Sequence, residues 1–347
     1  MIELEHSPLG GSGAHRFLEC AGSFLLHRDL YESGEFKDVP SEYAERGTGA
    51  HELAARCLTE DKEPFEFIGQ EFNGFKVGDQ PDDINPDVVT VYVNECRSLM
   101  PEDGKGKVII EQTFAHPDIH PFLKGTVDFG FWSSKRGVKL RDYKNGEGIG
   151  VSAVNNKQLL YYGYIMVLEY PWLREGPRDF PVDLGIVQPN FYGAFEDADT
   201  WQTTLGHVLD WGNEVLLPRM NSLVVTKDIS DSDFVPGEHC QFCPVLLECP
   251  KMQAAFEEFA KAEEFVAMLT DEELNGYYAL RDNARRFMNK LDETVKARLL
   301  GGSDIPSAKL VETRTNRVWK SGAEAVLRAA LGKHAYEPAK LKSPSRS

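Results

Sequence analysis

Long apolar runs are missing from this chain. Segments such as IMVL at 165–168 fall far short of the ~20 residues that a membrane-crossing helix needs. The opening MIELEHSPLGG holds no basic stretch followed by an apolar one, so no secretory leader is expected. The expected location is the cytosol, or the host cytosol for a viral chain. Positive charge is also scarce. With 38 Lys and Arg against 55 Asp and Glu the formal net charge is −17, which excludes a surface that coats nucleic acid by general attraction. Local phosphate contacts remain open, because metal ions neutralise part of a carboxylate-rich site. Six cysteines in 347 residues do not make a secreted disulfide scaffold. A second C-x2-C pair is absent, which argues against a self-contained zinc ribbon. No glycine-rich flavin or nicotinamide loop stands beside the cysteines, which leaves an electron-transfer protein the weakest of the readings. No internal repeat is evident.

What is present is an ordinary globular composition, 41% apolar and 27% charged, in a chain long enough for one large domain or two. Strand-like and helix-like segments alternate, which predicts an α/β fold with a mixed sheet. Its centre is residues 125–162. There GTVDFGFWSS is followed by a short polar interval ending in Gly137, then by VKLRDYKNGEG and a helical run holding NNKQLLYYGY. The interval suits a hairpin turn that brings Asp128 beside Asp142. Side chains alternate along a strand, so Asp142 and Lys144 point one way and Tyr143 the other. Two carboxylates and an ammonium on one surface suit a hard cation with a charge stabiliser at its rim. An exposed salt-bridge ladder would explain the same triplet more plainly.

The wider order is more specific. Gly47-Thr-Gly-Ala-His51 lies in a helical run, Gly125-Thr-Val-Asp128 and Asp142-Tyr-Lys144 in strands, and Gln158-Leu-Leu-Tyr-Tyr162 in a helix. These four motifs in this order resemble the PD-(D/E)XK nuclease superfamily, in its RecB-like branch, over residues 14–250. The resemblance implies a restriction-endonuclease-like core, a mixed central sheet flanked by helices. It implies a Mg²⁺- or Mn²⁺-dependent deoxyribonuclease acting on single strands or DNA ends in recombination, replication or repair, with a protein partner from such a pathway. Asp128 and Asp142 would hold one or two ions, with His51 and the backbone carbonyl of Tyr143 as further ligands. Lys144 would position the nucleophile and offset charge, and Gln158 and Tyr162 would orient Lys144 or a phosphate. Glu111, the polar residue inside the strand KVIIEQTF, is either near the metals, as in the resembled family, or a structural ion pair. A lone histidine on an apolar helix face is more often a core residue, so His51 gains its role only from the pattern. The rival function is a catalytically silent, nuclease-fold scaffold that binds DNA in a phage or repair complex.

Three cysteines are bunched as Cys240-x2-Cys243-x5-Cys249, and nothing after them supplies a fourth ligand. Cys20 is the candidate, and one early plus three late cysteines is similar to the cluster-bearing members of the branch. Four thiolates suit a structural [4Fe–4S] cluster, with four-thiolate zinc as the chemical alternative. Cys57 and Cys96 read as buried small hydrophobes.

The expected organisation is a nuclease domain over 1–250, a helical appendage over 251–300 and a basic region over 301–347. The last holds nine Lys and Arg against four acids and ends in a disordered tail. Along the way, Ser41 is expected to cap a helix carrying Thr48, His51, Ala55 and Leu58 on one face. Residues 60–87 read as a polar loop, and Ser152 as the cap of the helix that bears Gln158. Residues 191–195 read as a strand, 200–220 as a helix, and Thr270 with Glu273 as a capping box.

Overall fold

The computed structural model describes residues 7–35, 42–101, 105–146, 150–190, 198–261 and 270–310. Ser41, the 191–195 segment, the side chain of Glu273 and nearly all of the basic C-terminal region lie outside them.

The chain begins with two helices, α1 (Ala14–Glu19) and α2 (Ala21–Glu32), separated at Cys20 by a single extended residue, φ −129° and ψ 105°. Phe17, Phe24 and Leu25 of this pair are buried and Leu18 is half-buried. Helix α3 (Glu42–Glu60) follows. Its buried stripe is Gly49, Ala50, Leu53, Ala54, Cys57 and Leu58. Thr48, expected on that face, is exposed and instead donates its hydroxyl to Ala44 O at 3.2 Å. The expected polar loop contains a small hairpin, β1 (Glu71–Phe72) and β2 (Phe75–Lys76), turned by Asn73 and Gly74 at φ 47° and 80°. Asn-Gly tolerates positive φ at both positions, which a tight hairpin requires. Helix α4 (Pro86–Leu99) is capped by the Asn85 side chain, which accepts from Asp87 N–H at 2.9 Å.

Among the described residues the central sheet has five strands in chain order: β3 (Lys107–Ala115), β4 (Lys124–Ser133), β5 (Gly137–Tyr143), β6 (Pro181–Val187) and β7 (Asp199–Thr204). Only the β5–β6 pair is parallel, and the crossover between them carries α5 (Lys157–Glu169) and α6 (Pro171–Arg174). The molecule is therefore α/β with a mixed sheet flanked by helices. One core lies between the sheet and α5 together with α1 and α2. The other, with Phe129, Phe131 and Tyr143, lies between the sheet and α3 with α4. Helix α5 starts four residues later than expected, capped by Asn156 rather than Ser152. Asn155 is left-handed, φ 53°, and Asn156 is the residue whose side chain accepts from Gln158 and Leu159 N–H. Residues 200–204, expected as helix, belong to the edge strand β7. Its β-branched threonines pair with β6, and Thr204 then caps α7 (Leu205–Trp211) by accepting from His207 N–H.

Helix α7 runs through a π turn at Gly212–Leu216 into α8 (Leu217–Val225). Pro218 near the start of α8 removes one N–H from the ladder, and an extra residue per turn accommodates the loss. At Gly212 the Tyr164 ring lies where a Cβ would be, 2.1 Å away. Gly212→Ala is therefore expected to cost about 1–3 kcal/mol through overpacking. A urea titration reads this, with the midpoint falling at an unchanged slope.

After the cysteine loop come α9 (Pro250–Lys261) and α10 (Asp271–Leu300), joined by the Phe256–Phe287 stack at 4.8 Å. Leu274 and Leu291, expected in a packed stripe, are exposed. No helix among the described residues is long and apolar enough to cross a membrane.

Candidate active site

Strands β4 and β5 end their pairing at Phe129 and Arg141, so Asp128 and Asp142 come next on the two strands at the open end of the hairpin. On the other side of β4, the pairs Ile110–Phe129 and Gln112–Val127 bracket Glu111 and Asp128. Glu111 drops out of the ladder with φ 43°, a conformation that costs a non-glycine residue of order 1 kcal/mol or more. The alternation of faces slips here as well. Ile109 and Phe114 both pack in the α5-side core although they are five positions apart, an odd offset that strict alternation would put on opposite faces. Three acidic side chains thus gather where the sheet is locally irregular.

His51 reaches this place from α3. Its Nδ1 lies 3.1 Å from Glu111 Oε1 and 3.6 Å from Asp128 Oδ2. The second oxygen of that contact also accepts from Tyr143 N–H at 2.8 Å. The Tyr143 ring sits between His51, at 5.1 Å, and Tyr92, stacked at 4.6 Å, and so fixes the imidazole from one side. Ligand atoms of His51, Glu111 and Asp128 all lie within 4.8 Å of one another, close enough to hold one metal ion. Asp142, expected as a ligand, stands outside this trio. Glu111, expected only nearby, stands inside it.

The electrostatics are those of crowded acids. Burial pushes the Asp128 carboxyl up, His51 opposes this, and Asp142 and Glu111 push it further up. Burial works against a charged His51, but Asp128 and Glu111 outweigh it and hold the imidazole up at about 9. Without another cation, His51 carries the proton that balances the acids.

Asp142 is 2% exposed and faces the α5 side. Its Oδ1 accepts from Gln158 Nε2 at 2.9 Å, and its Oδ2 lies 3.0 Å from Lys144 Nζ. That ion pair lacks hydrogen-bond geometry, so Oδ2 is a buried acceptor with no hydrogen bond. Gln158 joins the two charges. Its Oε1 accepts from Lys144 Nζ at 2.8 Å, while Nε2 also reaches Tyr162 OH at 3.3 Å. Tyr162 is packed under Gly11, where a Cβ would fall 2.4 Å from its ring. All the sequence-predicted side chains, Glu111, Asp128, Asp142, Lys144, Gln158, Tyr162 and His51, therefore meet in one place.

Cys20, Cys240, Cys243 and Cys249 line one pocket, and none is in a disulfide. Cys20 Sγ accepts from Val235 N–H at 3.5 Å and Cys240 Sγ from Gly237 N–H at 3.3 Å. Burial tends to raise the Cys20 thiol, but bonds from His239 and from Val235 N–H bring it below the usual value. His239, held up at about 10 by Cys20 and Cys240, was missed in the sequence although it adjoins Cys240. Its signal was the His-Cys dipeptide. Cys57 and Cys96 lie elsewhere, fully buried in the α3–α4 core.

Arg141 was also missed. It is 2% exposed, donates to Glu95 Oε1 at 2.7 Å and to both Asp183 oxygens at 3.2–3.3 Å, and holds β5 on the face opposite Asp142.

A family model described as "Protein of unknown function (DUF2800)" matches residues 6–345, so the chain belongs to the DUF2800 family.

Proposed function

We propose that this chain is a divalent-metal-dependent deoxyribonuclease of the PD-(D/E)XK type, acting on DNA single strands or ends. The observation that carries the reading is the Asp142 carboxylate. It is buried, one oxygen has no hydrogen bond, and Lys144 stands beside it with the His51–Glu111–Asp128 trio on the neighbouring strands. A buried charge is costly unless it is both paired and hydrogen-bonded, and Lys144 pairs with this oxygen without hydrogen-bonding it, which leaves it open to a further cation. The residues fit such an ion: His51, Glu111 and Asp128 would hold it, with Asp142 and the Tyr143 carbonyl as further ligands. A bound Mg²⁺ or Mn²⁺ supplies a water of lowered pKa and polarises the scissile phosphate.

The protein's own part follows from the hydrogen bonds. Gln158 fixes the direction of both Asp142 and Lys144, so the ammonium is held in place before substrate arrives. Lys144 then offsets the negative charge that builds on the phosphorane-like transition state. Tyr162 holds Gln158 in its rotamer, and Asp128 is fixed by Tyr143 N–H. The strained Glu111 and the Tyr143–Tyr92 stack present His51 to the metal position.

The four-cysteine pocket is proposed to hold a structural [4Fe–4S] cluster. A single tetrahedral zinc, with bonds of about 2.3 Å, brings its sulfurs within about 4 Å of one another. The four cysteines line one pocket and none is in a disulfide, so either group finds its thiols at hand. Backbone N–H donors to the sulfurs favour the thiolate form that either metal requires.

The test is a cleavage assay with Mn²⁺ on end-labelled single- and double-stranded linear DNA beside a circular control, using protein purified without oxygen. Cleavage of linear DNA that EDTA abolishes is the expected result, with visible iron–sulfur absorbance in the same preparation. A folded, coloured protein that cuts none of the substrates would overturn the nuclease reading in favour of a DNA-binding scaffold.

A further inference from the structure

Strands β5 and β6 are the parallel pair of the sheet, and their carboxyl ends lie side by side. Tyr143 is in register with Val187, and Lys144 N–H donates to Val187 O at 2.9 Å. Open α/β sheets receive ligands at the carboxyl ends of such strands, and the proposed catalytic residues of β5 stand there. Just beyond them the two chain segments are tied by a pair of asparagines. Asn190 Nδ2 donates to the backbone O of Asn145 at 2.9 Å and to its side-chain Oδ1 at 3.3 Å. Tyr143 OH donates to the same Oδ1 at 3.1 Å.

These bonds decide which way the Asn145 amide faces. A backbone carbonyl only accepts, so Asn190 turns its NH2 towards Asn145, and the side-chain atom of Asn145 that meets it is the oxygen. The Asn145 Nδ2 therefore points away from the tie. Its two N–H groups have no partner among the described residues, and Asn145 is only half-buried, so they are open to a ligand. The neighbouring donors of the site are committed. Lys144 Nζ serves Gln158 Oε1 and Asp142, Gln158 Nε2 serves Asp142 and Tyr162, and Tyr143 N–H serves Asp128. Alternation along the chain puts Tyr143 and Asn145 on the face opposite Lys144. The ammonium and the free amide thus flank the end of β5 from its two sides. Asparagine N–H groups are common donors to phosphate oxygens, and such a contact fixes position without reading a base.

We infer that Asn145 is a substrate-binding residue whose Nδ2 donates to a phosphate oxygen of the bound strand, beside Lys144. Asn190 is its positioning residue, because it holds the oxygen end of the amide inward and so turns the donors out. A neutral donor does not follow the charge that builds during reaction. It grips the phosphate alike in the ground state and the transition state, so its loss falls on KM rather than kcat. The inference deepens the nuclease reading and rests on it for the identity of the phosphate as that of a DNA strand.

The experiment pairs steady-state cleavage of an end-labelled single strand in Mn²⁺ with fluorescence anisotropy of the same strand in Ca²⁺, beside a thermal melt of each variant. Asn145→Asp keeps the oxygen that Tyr143 and Asn190 bond and loses the donors. It is expected to melt like wild type and to raise KM and weaken binding roughly ten- to a hundredfold, the range for a hydrogen bond to a charged group. Asn145→Leu should weaken binding similarly at an unchanged slope of log K against log salt, because a neutral donor releases no counterion. Asn190→Ala should give a smaller rise in KM. A folded Asn145→Asp with wild-type KM and affinity would overturn the contact and leave Asn145 a tie between β5 and β6, even were Asn145→Leu impaired. A flattened slope in Asn145→Leu would overturn it too, since a cation rather than the amide would then have been lost. Wild-type cleavage with an unaffected Asn145→Asp sinks this inference and spares the nuclease. A wild-type chain that binds without cutting, and binds less well as Asn145→Asp, does the reverse. One that neither binds nor cuts overturns both.

Discussion

Replacing Lys144 with alanine is expected to lower the rate of DNA cleavage by about 10²–10³-fold, the usual cost of removing one preorganised charge or donor from a transition state. The fold should survive. Lys144 is one-quarter exposed, and Gln158 still donates to Asp142 Oδ1 after the ammonium is gone. Under the proposed mechanism the loss should fall in kcat, because Gln158 already holds the ammonium in place and the charge it would offset develops only during reaction. Initial rates on end-labelled linear DNA, beside a thermal melt of the same preparation, measure this. A folded variant cutting at the wild-type rate would remove Lys144 from the mechanism and leave the acids as a cation site without chemistry.

The largest loss of stability is expected at Arg141. Its guanidinium is buried against Asp183 and Glu95, and Lys139 Nζ lies 3.0 Å from the same Asp183. Arg141→Ala leaves the buried Asp183 with Lys139 as its remaining cation and Glu95 without Arg141, a loss expected to approach the ~3–5 kcal/mol of a broken buried pair. Replacing the pair together, Arg141→Met with Asp183→Leu, should recover much of that loss, because the uncompensated charge leaves with its partner. Urea midpoints of the single and double variants decide it. A single variant as stable as wild type would mean that the network contributes nothing. The same network predicts acid sensitivity. Burial works to raise the Asp183 carboxyl, but Arg141 and Lys139 outweigh it and hold it below the usual range. Its stabilisation is therefore fully present above the unfolded value near 3.9 and is lost as pH falls through the lower folded value. Arg141→Met with Asp183→Leu should flatten this part of the pH profile.

Much of the candidate site was legible because strand and helix periods are simple. Residues two apart at the end of β5 and just beyond it, and four apart on α5, had to meet if the hairpin formed, and the polar Ser133–Gly137 interval marked the hairpin. What was not legible depended on local backbone geometry or on distant partners. Nothing in KVIIEQTF announces that Glu111 leaves the ladder in a left-handed conformation and so joins the His51 trio. Arg141 reads as one more polar residue in a strand until β6 and α4 close over it. Two misses had signals in the sequence. Asn73-Gly74 between phenylalanines is a hairpin signature inside a segment that looked like loop. The threonines of β7 favour a strand but run directly into a helical pattern, which masked them. On α3 the buried stripe lies one position around from the expected one. The His51 face meets the sheet, and Gly49 abuts the β1–β2 hairpin.

Arg16 touches Phe242 across 226 residues, and Cys20 meets the Asp233–Val235 segment at nearly the same separation. Topologically, the sheet and its helices form a ring with a clasp, and α9 and α10 hang outside it. Closing a ring of this size costs little more than closing one half as long, about 0.6 kcal/mol per doubling. A surface loop within the ring could therefore grow by tens of residues with hardly any entropic strain on the clasp. Length variation inside the ring is thermodynamically cheap, whereas a change at either half of the clasp removes a contact that joins residues more than 200 positions apart.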